Sequence, residues 1–113
     1  MQTITLEVCS REITNKRFLR ASKGEPQGAF ISFESPALLF KVLGGKRWEL
    51  LKSITGAGPL TIRETARRVN RDVKAVHTDI HALLDAGILQ KTDKGRIIFP
   101  FDAVHVDFIL HAA

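Results

Sequence analysis

Apolar and polar residues alternate at the start of the chain. In "TITLEV" Ile4, Leu6 and Val8 take one side and Thr3, Thr5 and Glu7 the other, the period-two pattern of a half-buried strand. "SREITNKRFLRA" allows a short helix behind an N-cap at Ser10, "SKGEPQG" is a loop by its Gly and Pro content, and "AFISF" is a short strand. The spacing of apolar residues then lengthens to three and four. "SPALLFKVLGG" predicts a helix that Ser35 caps and Gly44 and Gly45 stop; Pro36 suits the first helical position, where a backbone N–H would go unpaired anyway. "KRWELLKSIT" predicts a second helix, with Trp48, Leu51 and Ile54 facing inward, and "GAGP" ends it. "LTIRETARRVN" predicts a third, opened by a capping box of Thr61 and Glu64, with Ile62, Ala66 and Val69 as its buried stripe. Asn70 and Arg71 make a short turn, Asp72 caps a helix over 72–86, and Gly87 ends it. "ILQKTDKGRIIF", 88–99, predicts a hairpin about Asp93 and Gly95. "AVHVDFIL" alternates again: Val104, Val106, Phe108 and Leu110 point one way, His105, Asp107, Ile109 and His111 the other.

The helix over 72–86 separates two chemistries. At 100° per residue Val73, Val76, Ile80, Leu83 and Leu84 fall in one half of the wheel, and Lys74, His77, Thr78, His81 and Asp85 lie opposite. One side docks inward and the other presents hydrogen-bonding groups. Asp79 lies beside that polar stripe. It would repel phosphate unless a cation such as Arg71 or Lys74 pairs with it.

Composition narrows the class. The 113 residues fit one α+β domain: an extension over 1–34, a helical and hairpin unit over 35–99, and a last strand over 100–113. Nothing approaches the roughly 20 apolar residues that span a bilayer, and the polar first segment lacks the apolar core of a signal peptide. Cys9 is the sole cysteine, so no intramolecular disulfide forms, and the chain is expected in the cytoplasm, away from membranes. The net charge of +5 is uneven: Lys41–Arg96 holds twelve Lys/Arg against six Asp/Glu, the remainder five against six. Excess positive charge confined to the middle of the chain favours a polyanionic partner.

The order helix, helix, short turn, helix, hairpin, with Ala66 where two helices approach and the "LLDAGIL" exit, resembles the winged helix-turn-helix superfamily, and within it MarR/ArsR-like regulators. Residues 35–110 are similar to a group of small winged-helix regulators. The resemblance implies an α+β winged helix-turn-helix fold with additional N- and C-terminal strands, and double-stranded DNA as partner. It implies that helix 72–86 enters the major groove, which admits an α-helix and displays a distinct donor and acceptor pattern for each base pair. Arg71 and Lys74 would then reach guanine edges or phosphates, and His77, Thr78 and His81 bases or bridging water. Ser53, Thr61, Arg63, Arg67 and Arg68 become backbone anchors, and Lys94 and Arg96 the basic tip of the wing. The expected function is a dimeric transcriptional repressor. The alternative the resemblance leaves open is an antitoxin-type protein that binds a toxin and represses its own operon.

Other chemistries have weaker support. His77 and His81 stand four apart with Asp85 a turn beyond, but the HExxH glutamate is missing, so the metal reading gives way to a DNA-facing one. No P-loop, GxGxxG or GxSxG is present, and Cys9 reads as a small buried hydrophobe, so neither catalysis nor a cofactor is expected. Trp48 and the phenylalanines read most simply as core. "TITLEV" and "AVHVDFIL" need partners, because lone strands are unstable. They pair within one chain, with each other or with "AFISF", or across two chains in a shared sheet; the two-fold dimer is the favoured expectation.

Overall fold

The structure is a computed structural model that describes residues 2–8 and 29–109. The helix expected in "SREITNKRFLRA", together with Cys9, Leu110 and His111, lies outside the described residues.

Three strands, β1 (Thr3–Val8), β2 (Ala29–Phe33) and β5 (Ala103–Asp107), form one parallel sheet in the order β2-β1-β5. Ile4 lies beside Ala29 and Val104, and Leu6 beside Ile31 and Val106. The segments expected to need pairing therefore find it inside one chain, where β1 pairs with both β2 and β5. The alternation correctly assigns Ile4 and Leu6 to the core, but it misplaces Glu7, which is only 4% exposed. β1 is the central strand, so the Glu7 side chain lies between those of two neighbours. Its carboxylate accepts a hydrogen bond from Ser32 Oγ at 3.2 Å.

Four helices are found among the described residues, α1 (Pro36–Leu43), α2 (Lys46–Ile54), α3 (Ile62–Val69) and α4 (Val73–Asp85); α1 packs against β1 and β2, and the helices pack on one another. Their ends are set by local chemistry. Ser35 Oγ accepts from the Leu38 N–H at 3.2 Å. A side chain at Gly44 would meet the Phe40 carbonyl oxygen at 2.5 Å, so α1 closes on a position that only glycine fills. Thr61 and Glu64 form the expected capping box, and Asn70 ends α3 in the left-handed conformation. Asp72 Oδ2 accepts from the Ala75 N–H at 3.2 Å and opens α4.

The core joins sheet and helices: Ile4 and Leu6 with Leu39, Leu43, Leu50, Leu51, Ile54, Val76, Ile80 and Leu83. Each such side chain contributes about 1.5–3 kcal/mol by leaving water. Three inward assignments fail. Trp48 is 37% exposed, with Leu50 filling the interior beside Leu51 and Ile54, and Val73 is exposed at the first turn of α4. Of the phenylalanines among the described residues only Phe99 is fully buried, while Phe30 and Phe40 are exposed.

The hairpin is present but shorter than 88–99. Its strands are β3 (Gln90–Lys91) and β4 (Ile97–Ile98), antiparallel. Thr92 closes the turn: its N–H donates to the Arg96 carbonyl at 2.8 Å and its Oγ1 accepts from the Arg96 N–H at 3.2 Å. Leu60 and Ile97 exchange two backbone hydrogen bonds, of 2.9 and 2.8 Å, which tie the hairpin to the residue before the α3 cap. No helix among the described residues is long and apolar enough to cross a membrane.

Candidate functional site

The basic residues singled out in the sequence gather around α3, the turn after it, and α4. Val76, Ile80 and Leu83 are fully buried, so the apolar flank of α4 is engaged with the core. On the opposite flank Lys74, His77, Thr78 and Asp85 are exposed, and His81 is half-buried. A helix of this length presents an outward face about 20 Å long.

Asp79 fixes the rotation of that face. Arg47 Nε at the start of α2 donates to Asp79 Oδ1 at 3.0 Å, and Arg71 Nη2 in the turn donates to Oδ2 at 2.8 Å. The carboxylate thus fastens three elements. The expected Arg71 partner is present, Lys74 is not engaged, and Arg47 is a site residue that sequence reasoning missed. Thirty-two positions separate Arg47 from Asp79, so no local spacing reports the contact. Burial opposes ionisation of Asp79, but the Arg71 and Arg47 donors together outweigh it and hold the carboxyl below its ordinary pKa. The Arg71 side chain is 18% exposed, so it is a clamp within the turn more than a free arm. Its Nη1 is buried and without a partner among the described residues.

Beside this clamp lies a surface basin of about 480 Å³, lined by Arg63, Ala66, Arg67, Asn70, Arg71 and Val73. Arg63 and Arg67 are one turn apart on α3, a like-charge spacing that destabilises a helix slightly unless an anion sits between them. Ion pairs among the described residues join Arg47 and Arg71 to Asp79 and Lys52 to Glu49; Arg63, Arg67, Arg68, Lys74, Lys94 and Arg96 take part in none. The basin also borders the N-terminal end of α4, where the helix dipole favours negative charge.

The remaining expected residues are placed as follows. Thr61 is committed to the cap, and its hydrogen bonds, that of the hydroxyl foremost, lower the Glu64 pKa. Arg68 reaches back to α2 and donates to the Ser53 carbonyl at 3.4 Å, so Ser53 and Arg68 are brought together away from the basin lining. Lys94 and Arg96 are exposed at the hairpin turn. His77 and His81 approach each other, Nε2 to Nε2, at 3.1 Å. No cluster of three or more His, Cys, Asp or Glu among the described residues is arranged to hold a metal ion.

The HVO_A0114 family model matches residues 42–106, more than half of the chain and all of α2, α3, α4 and the hairpin. The chain belongs to the HVO_A0114 family. No curated protein and no solved structure gives a match. The family match covers the Asp79 clamp and the whole arginine basin, and it leaves β1, β2 and nearly all of α1 outside.

Proposed function

We propose that this HVO_A0114 family member is a sequence-specific, double-stranded DNA-binding transcriptional regulator, a two-fold dimeric repressor with no catalytic activity. In this reading α3, the turn and α4 act as the helix-turn-helix and the β3–β4 hairpin as the wing. The observation that carries it is the two-sided character of α4. Its apolar flank is locked into the core, while its free flank presents Lys74, His77, Thr78 and His81 beside a cationic basin without carboxylates. α4 enters the major groove, where Lys74 and the histidines meet base edges. Arg63 and Arg67 take backbone phosphate, while Arg71, tied to Asp79, orients the turn. Lys94 and Arg96 follow the backbone from the hairpin. Asp79, the carboxylate beside the polar stripe, is already neutralised by two guanidinium groups.

The test is selection of bound fragments from genomic DNA, followed by quantitative binding. Lys74→Ala weakens binding to the selected duplex by about 1–3 kcal/mol, and Arg63→Ala and Arg67→Ala each reduce the salt slope by about one. Failure to retain any duplex, or unchanged affinity in Lys74→Ala, sinks the proposal.

A second reading is the antitoxin-type protein that binds a toxin and represses its own operon. The observation favouring it is apolar surface: Leu38 and Phe40 on α1 are 45% and 54% exposed, and Phe40 stacks edge-on with Phe108 at 5.5 Å. Stable co-purification with the product of a neighbouring toxin-like gene, lost in Phe40→Asp, favours this reading.

A further inference from the structure

His77 and His81 lie one helical turn apart on the free flank of α4, and their side chains converge. The ring centroids are 4.2 Å apart, the planes are tilted by 44°, and the Nε2 atoms stand 3.1 Å from each other. In a contact between two Nε2 atoms one ring donates and the other accepts, the roles following the tautomers. Two imidazoles bound to one tetrahedral ion at 2.0–2.1 Å place their nitrogens about 3.3 Å apart. The observed separation is within a few tenths of an ångström of that bite. The helix backbone supplies the spacing, and rotation of the rings aims both lone pairs at one ion.

The surroundings leave these nitrogens available. The neighbouring Thr78 hydroxyl donates to the Lys74 carbonyl at 3.3 Å. Asp79 is committed to Arg47 and Arg71 and does not compete. Lys74 and Asp85 stand one turn before and one turn after the pair on the same flank, and both are exposed.

We propose that His77 and His81 form a two-imidazole chelate for a late first-row divalent ion. Neutral imidazole selects Cu²⁺, Ni²⁺ and Zn²⁺ over Mg²⁺ and Ca²⁺, with Cu²⁺ the tightest. Binding uses both Nε2 lone pairs. The proton that one ring shares with the other moves to its Nδ1 through solvent, so two neutral rings bind the ion with no net proton loss. Water fills the other coordination positions, since no third protein ligand converges among the described residues. The chelation stands apart from the DNA reading. One consequence rests on that reading: a hydrated dication on the free flank of α4 occupies the space a base edge would take, so it alters duplex affinity.

The test is calorimetric titration of the full chain with Cu²⁺, Ni²⁺, Zn²⁺ and Mg²⁺ chlorides at neutral pH, without DNA. One transition-metal ion binds per chain, most tightly for Cu²⁺, and Mg²⁺ gives no heat. His77→Ala and His81→Ala each weaken binding about tenfold or more, while His105→Ala, which removes an exposed imidazole on β5, leaves it unchanged. Electron paramagnetic resonance of the Cu²⁺ form shows two coupled nitrogens, and one in each single variant. Far-UV circular dichroism verifies that both variants stay folded. Absence of binding by the wild type, or equal binding by the double variant, overturns the chelate. Binding of metal with duplex affinity unmoved by saturating Zn²⁺ overturns the masking consequence. A chain that binds metal but no duplex refutes the DNA reading and supports the chelate.

Discussion

Asp79 carries more of the geometry than any other single side chain on α4. It holds α2, the turn and α4 together through Arg47 and Arg71, whose side chains are 26% and 18% exposed. Asp79→Ala leaves two mostly buried guanidinium groups without a counter-charge, and lowers the unfolding free energy by about 1–3 kcal/mol in chemical denaturation. Asp79→Asn keeps the shape and loses less. The pH dependence has a definite sign. The folded state lowers the Asp79 pKa, so its contribution is complete above the unfolded value, near the ordinary 3.8, and is lost as pH falls through the folded value. Wild-type stability therefore declines on acidification below about pH 4, and Asp79→Asn flattens that decline. Half of the clamp was legible: an acid beside a basic stripe must be paired, and Arg71 is near in sequence. Arg47 was not legible, because its contact exists only once α2 packs against α4.

The elements were legible where their ends carry side-chain chemistry. Ser35, Thr61 and Asp72 all cap as their identities and spacing require. Thr61→Ala removes the hydroxyl that accepts from the Glu64 N–H, leaving the Thr61 backbone N–H to the Glu64 carboxylate, and costs about 1 kcal/mol by thermal or chemical unfolding. Legibility fell where periodicity alone decided. Trp48 and Leu50 are both apolar, and a helical wheel does not say which of them the neighbouring helices leave room for. The hairpin is shorter than its pattern predicts, and Ile97 also pairs with Leu60 on its other side, a pairing across 37 positions that its own residues do not announce. Within α4, Ile80→Ala removes a fully buried side chain and destabilises by about 2–5 kcal/mol, while Lys74→Ala on the opposite flank leaves stability within about 0.5 kcal/mol of wild type. That contrast in denaturation tests the two-sidedness on which the functional proposal stands.

For the whole molecule, alternation identified the strands and, Glu7 apart, the sides that β1 and β5 turn inward, but neither their order nor their direction, because a period of two fixes side-chain faces without naming neighbours. The shared two-chain sheet was attractive for that reason. With β1 paired on both sides inside one chain, a second copy adds no strand to β1, and the exposed Phe40 beside Phe108 is a place to alter the proposed dimer. Light scattering on the proposed dimer reports two chains for the wild type and one for Phe40→Asp; a wild-type monomer at micromolar concentration counts against the dimer. Charge was legible as a total and as a gathering in the middle of the chain. The basin was not, since Arg63, Arg67 and Arg71 converge only through the α3 helix and the left-handed turn at Asn70.

The placing of β1 between β2 and β5 has a consequence for how the protein is made. The backbone N–H of Gln2 is held by the carboxylate of Asp102, one hundred positions later. β1 therefore waits for a segment one hundred positions further along before its second neighbour arrives. Loop closure over that span is slow, so the seating of β5 is expected late, against an edge of β1 that stays open until then. Two nascent copies on one message present that same open edge to each other, and exchange of β5 between them is the characteristic error this order of synthesis invites.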